Sequence, residues 1–116
     1  MQIEVNDAEL ARQIGAGEDR EAEAELCRRM APRIRLYGLR HLRDEHAAED
    51  LAQQVLITTL EALRAGRLRE PEKLASFVLG TCRMTVLNLR RGAARKERLL
   101  EQFGSDLAMP PASTLP

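Results

Sequence analysis

Leu10 and Ile14 stand four residues apart in an otherwise polar run, which predicts a short helix over 7–16. Asn6 or Asp7 can cap its start, and Gly15 and Gly17 can end it. Asp19 can then cap a long second helix reaching about Leu42. Leu26, Cys27, Met30, Ala31, Ile34, Tyr37 and Gly38 fall on one stripe of it at helical spacing, and Pro32 is expected to kink it. Asp44 opens a third helix, 45–65, whose broad inward face is Ala48, Leu51, Ala52, Val55, Leu56, Thr59, Ala62 and Leu63, and Gly66 stops it. Residues 64–73 have no apolar period and carry Gly66 and Pro71, so they read as a loop.

A fourth helix over about 72–91 turns Leu74, Phe77, Val78, Thr81, Cys82, Thr85 and Leu89 inward. Leu79, Val86 and Leu87 point elsewhere, so this helix is apolar almost all round and is expected to be central or covered by a partner. Gly92 is expected to interrupt it, leaving 93–103 as a basic terminal helix. Residues 104–116 have turn and linker composition, which predicts a tail without order.

Composition sharpens the fold class. Leu, Ala, Arg, Glu and Lys make 65 of the 116 residues, whereas the β-branched and aromatic residues that strands need are scarce. The expectation is an all-α fold, a compact bundle of about four helices over 1–103, followed by a tail or truncated linker over 104–116. The N-terminal MQIEVNDAEL lacks both the basic and the apolar parts of a signal peptide, so a cytoplasmic location is expected. Cys27 and Cys82 stand alone, and reduced thiols in apolar helix positions are their default; a disulfide needs a proximity that spacing does not supply.

Net charge is zero, but the charges are sorted along the chain. Residues 1–25 hold eight acids against two arginines, and residues 26–43 hold six arginines and no acid. Residues 83–98 hold six bases against one acid. Arg outnumbers Lys eight to one, and its planar guanidinium suits phosphate and carboxylate. A polyanionic partner is therefore compatible with zero net charge. For Arg28, Arg29, Arg33, Arg35, Arg40 and Arg43 the favoured reading is structural, with the N-terminal acids neutralising them inside the fold. The block Arg83, Arg90, Arg91, Arg95, Lys96 and Arg98 fits either phosphate contacts or a solvated helix end that complements a helix dipole.

The outward face of the third helix carries Asp50, Gln53, Gln54, Ile57, Glu61 and, at its edge, Leu60. Ile57 is the anomaly there. A solvated face with one stray apolar side chain and a protein-binding face both fit it. Other chemistry fares worse. His41, Asp44, His46, Glu49 and Asp50 straddle a helix start and do not converge as metal ligands must, so no metal and no cofactor are expected. Cys82 lies on an apolar face with no histidine near it in the chain, and the three serines, at 76, 105 and 113, sit in no nucleophile motif. An enzyme is not expected.

The run AEDLAQQVLITTLEAL, followed by a Pro-containing loop and LASFVLGTCRMTVLNLRR, resembles region 2 of sigma-70 family RNA polymerase sigma factors, in the extracytoplasmic-function subgroup. DAELARQIGAGEDREAEAEL resembles that subgroup's first helix and Gly-Asp turn, and APRIRLYGLR its region 2.1 helix with an internal proline. The most specific element is Ala48-Glu49-Asp50-Leu51-x-Gln53, supported by the ending TCR-x-x-x-L-x-L-RR, and the likeness covers about residues 7–98.

The resemblance implies a transcription initiation module whose third helix docks on the β′ clamp of RNA polymerase through Glu49, Asp50, Gln53, Gln54, Ile57, Leu60 and Glu61. It implies that the following loop and the fourth helix read and melt the promoter minus-ten element, holding the non-template strand with Arg64, Arg67, Arg69, Lys73, Arg83, Asn88, Arg90, Arg91, Arg95 and Lys96. An anti-sigma factor is a further implied partner. The chain departs from the family pattern at Gln54, Phe77, Met84 and Asn88, where members usually carry Glu, Trp, Asn and Asp. The family's second domain, which reads the minus-thirty-five element, has no counterpart after Gln102, so a fragment or a reduced variant is expected. The competing expectation is a helical adaptor or regulator of the same fold that binds only protein, which Met84 would suit.

Overall fold

A computed structural model describes residues 5–107. Four α-helices follow one another: α1 Asp7–Ala16, α2 Arg20–Leu42, α3 Glu45–Arg64 and α4 Leu74–Leu107, with a 3₁₀ turn, Pro71–Lys73, leading into α4. No strand occurs among the described residues, so the all-α expectation holds. The chain divides into two compact units, one up to Val86 and one from Leu87 onward.

In the first unit, short polar side chains start the helices by accepting from otherwise orphaned amides. Asn6, Asp19 and Asp44 take the N–H groups of Glu9, Ala22 and Ala47 at 2.8, 3.0 and 3.0 Å. The Asp44 carboxyl is held below its ordinary range by that backbone hydrogen bond. α3 gives way at Gly66, whose φ of 70° is left-handed and suits a residue without Cβ. α2 ends without glycine: Arg43 itself takes φ 53°. α2 runs through Pro32 as a single helix.

The core is built from the faces that the apolar spacing marks. α1 contributes Leu10, Ala11 and Ile14; α2 Leu26, Met30 and Ile34; α3 Leu51, Ala52, Val55 and Leu63; and α4 Leu74, Val78, Cys82 and Val86. Gly38 sits where α2 passes closest to α3, and a Cβ there would lie 2.8 Å from Ala48 Cα.

α4 departs from its sequence reading in two ways. Val86 is buried and Leu89 exposed, the reverse of the expected phase. The buried positions 74, 78, 82, 85 and 86 close the first unit's core at Val86, and Leu89 belongs to the second unit. Leu79 and Met84 are exposed, so of the two expected alternatives the helix is not central. Finally, Gly92 does not interrupt it, because one glycine costs a helix only about 1 kcal/mol and the flanking Arg, Ala, Lys, Glu and Leu favour helix.

The second unit, by itself, is the helical continuation from Leu87 to Leu107, with one non-helical residue at Phe103. Residues 87–103 are all exposed. Gly104–Leu107, assigned by composition to the tail, are helical, and the rest of that tail lies outside the described residues.

Candidate functional site

The outward face of α3 is as the helical period placed it. Asp50, Gln53, Gln54, Ile57 and Glu61 are exposed, Leu60 is half-buried, and Ile57 leaves 58 % of its surface open. The opposite face, from Ala48 to Leu63, is sealed in the core, so the exposed groups ride on a rigid helix. Glu49 lies on the flank toward α2, where its Oε2 is 2.7 Å from Arg35 Nε; the Nε–H itself does not point along that contact. Glu49 is thus partly neutralised, whereas Asp50 and Glu61 on the same helix have no ion pair among the described residues.

The loop between α3 and α4 is less free than its sequence suggests. Arg64 gives Nε and Nη2 to the two carboxylate oxygens of Glu23 at 2.9 and 2.7 Å. That fork holds the Glu23 carboxyl below the usual carboxylate range and raises Arg64. Lys73 Nζ lies 2.7 Å from Glu70 Oε2. Arg12 Nη2 donates to Glu72 Oε1 at 2.9 Å, and the Glu72 carboxyl is lowered first by its own backbone amide and then by Arg12. Arg67 and Arg69 remain exposed and unpaired among the described residues, either side of Leu68, which is partly buried against the core. On α4, Arg83 is exposed, Met84 is 57 % open and Phe77 is half-buried.

In the second unit Asn88, Arg90, Arg91, Arg95 and Lys96 are exposed. Arg91, Arg95 and Arg98 line one stretch of this helix together with Glu97 and Glu101.

The N-terminal acids neutralise three of the six arginines of 26–43, Arg28, Arg29 and Arg33, while Arg35 lies against Glu49 instead. Asp7 and Glu25 hold Arg29 at 3.1 and 2.8 Å, Glu25 also holds Arg28, and Asp7 reaches Arg33 at 3.9 Å. Arg40 and Arg43, at the helix end, have no such partner among the described residues. No group of three or more His, Cys, Asp or Glu among the described residues is placed to hold a metal ion, and the His41 ring lies 4.1 Å from that of Tyr37. Both cysteines are free, and burial pushes both thiols up. No described helix is long and apolar enough to cross a membrane.

Two features had no signal in the sequence. The pairs Glu23–Arg64 and Arg12–Glu72 join residues 41 and 60 positions apart, beyond any helical spacing rule. A groove of about 180 Å³ between α2 and α4, with Ile34, Tyr37, Val78 and Leu79 in its walls, likewise depends on how the helices pack.

Compared with known families, residues 26–96 match the family model described as Sigma-70 region 2. No curated protein and no solved structure matches the chain.

Proposed function

The chain belongs to the Sigma-70 region 2 family, and from that membership we propose that it docks on the β′ clamp of RNA polymerase and recognises and melts the promoter minus-ten element. The family is a non-enzymatic transcription-factor domain with a general role in RNA polymerase binding and promoter melting. The finer assignment rests on one observation above all: a rigid helix presents Ile57, 58 % exposed, among Asp50, Gln53, Gln54 and Glu61. An apolar anchor ringed by hydrogen-bonding and charged groups is the make-up of a protein interface. Glu49 and Leu60 border that face.

For DNA, exposure and lack of an ion pair support Arg67, Arg69 and Arg83 as phosphate contacts. Arg90, Arg91, Arg95, Lys96 and Asn88 of the second unit extend the proposed set. Arg64 and Lys73 are weaker members of it, since each already has a carboxylate partner. The motif Ala48-Glu49-Asp50-Leu51-x-Gln53 supports the extracytoplasmic-function subgroup, and with it a cytoplasmic protein that an anti-sigma factor holds in check.

Ile57→Glu or Asp50→Ala should abolish capture of a β′ clamp fragment while leaving helicity and the thermal midpoint nearly unchanged. Loss of folding in both variants would show that the stripe belongs to the core and sink the docking assignment. A second reading, a protein-only helical adaptor, draws on exposed Leu79 and Met84 and the apolar α2–α4 groove. Salt-dependent binding of single-stranded DNA by the free chain separates the two, since the adaptor should show none.

A further inference from the structure

The family match begins at Leu26, yet the loop 65–73 is fastened by side chains that precede it. At the loop's start, Glu23 engages Arg64 through two hydrogen bonds, at 2.9 and 2.7 Å. At its end, Glu72 accepts from Arg12 at 2.9 Å, and Arg12 is steadied in turn by Glu9 at 3.0 Å. Between these two clasps Leu68 is partly buried against the core. Arg67 and Arg69 therefore project from a segment held at three points, two of them electrostatic.

We infer that Arg12 and Glu23 are positioning residues that orient the loop carrying Arg67 and Arg69 toward a nucleic-acid strand, and that Arg64 serves as the clasp for Glu23 and not as a phosphate contact. This rests on the nucleic-acid reading of the loop given above. α1 already owes its place to Leu10, Ala11 and Ile14 in the core, so the fold does not depend on Arg12. Half the Arg12 side chain and 65 % of that of Glu72 are exposed, and such a pair shifts a local equilibrium by only about two- to fivefold. A shift of that size hardly registers in global stability. It is enough to change how often a short loop presents its two arginines in one orientation. Glu23 is better shielded, with 17 % of its side chain open, and its fork takes up two of the five N–H groups of Arg64 and matches its charge.

The test uses the full chain bound to core RNA polymerase, with a single-stranded DNA library randomised over six positions as probe. Arg12→Glu and Glu72→Arg should each alter the enriched base pattern or weaken binding about two- to fivefold, and the double swap should restore both. The thermal midpoint of the free chain should stay within a few degrees in all three. If the single variants change nothing while Arg67→Ala/Arg69→Ala weakens binding, or if the swap fails to rescue, the positioning role is wrong. If Arg67→Ala/Arg69→Ala itself has no effect, the nucleic-acid reading of the loop falls, and this inference with it. The second clasp has its own sign. Arg64→Ala and Glu23→Gln should behave alike and leave the salt dependence of binding unaltered, whereas a phosphate-contacting Arg64 would flatten it on removal and steepen it when Glu23 is neutralised.

Discussion

At Gly38 a hydrogen stands where any other residue would carry a carbon 2.8 Å from the Cα of Ala48. Two effects oppose each other there. Helix propensity favours Gly38→Ala by about 1 kcal/mol, whereas pushing two helix backbones apart costs roughly 1–3 kcal/mol. Because the obstructing atom is backbone and has no rotamer to escape into, packing should win, and Gly38→Ala should lower the urea midpoint. A rise would mean that α2 and α3 separate easily. The inward stripe of α2 placed Gly38 correctly, but only the helix crossing explains why the residue is glycine. Glu23 makes a second residue-scale prediction. Its folded carboxyl is held below its ordinary value by Arg64, so its contribution is present above the unfolded value of about 4.3 and is lost as pH falls through the folded one. Glu23→Gln should thus lower the thermal midpoint near pH 7, and the gap to the parent chain should close as the solution is acidified below pH 4. A gap that persists unchanged in acid would place the effect elsewhere.

Helix starts were the most legible elements, because Asn6, Asp19 and Asp44 each stand immediately before an apolar period and cap it in the fold. α3 was read almost residue for residue: the positions assigned inward are buried apart from half-buried Leu56, and Ile57 is open as the period requires. α4 was harder. Its apolar residues cover most of its circumference, so periodicity alone could not choose between Val86 and Leu89, and the end of the core decided it. Gly92 misled because a glycine signals a stop only where the chain must turn. A Cβ added at Gly92 would meet nothing within 4 Å, so Gly92→Ala should strengthen the helix locally by about 1 kcal/mol. Gly92→Pro should break it, at about 3 kcal/mol. Backbone chemical shifts across 87–103 would register both; helical shifts that survive the proline would contradict a continuous α4.

For the molecule as a whole, eighteen acids and eighteen bases cancel, yet the cancellation is spatially uneven. Arg12, Arg28, Arg29, Arg33, Arg35, Arg64 and Lys73 each lie against a carboxylate. Charge sorting along the sequence foretold that neutralisation for Arg28, Arg29 and Arg33, but not for Arg35, which turns to Glu49, nor for Arg64, whose partner lies 41 residues away. What remains open to a polyanion in the first unit is Arg67, Arg69 and Arg83 around the loop and α4, besides Arg20, Arg40 and Arg43 at the two ends of α2, with a further basic cluster in the second unit. A handful of phosphate contacts supports only non-specific affinity, so the free chain should bind single-stranded DNA with Kd of roughly 10⁻⁴ to 10⁻⁶ M. Each contact to a single strand contributes about 0.7 to the slope of log affinity against log salt. Neutralising Arg67 and Arg69 together should accordingly flatten that slope by about 1.4, whereas neutralising Arg28 and Arg29, whose charges are already matched, should leave it unmoved. In the polymerase complex the Arg67/Arg69 change should slow promoter opening without altering β′ capture, because the α3 stripe is untouched. Nanomolar, sequence-specific duplex binding by the free chain would contradict this weak-affinity account, a slope indifferent to Arg67 and Arg69 would place the DNA contacts on other residues, and promoter opening that ignores the Arg67/Arg69 change would favour the protein-only adaptor.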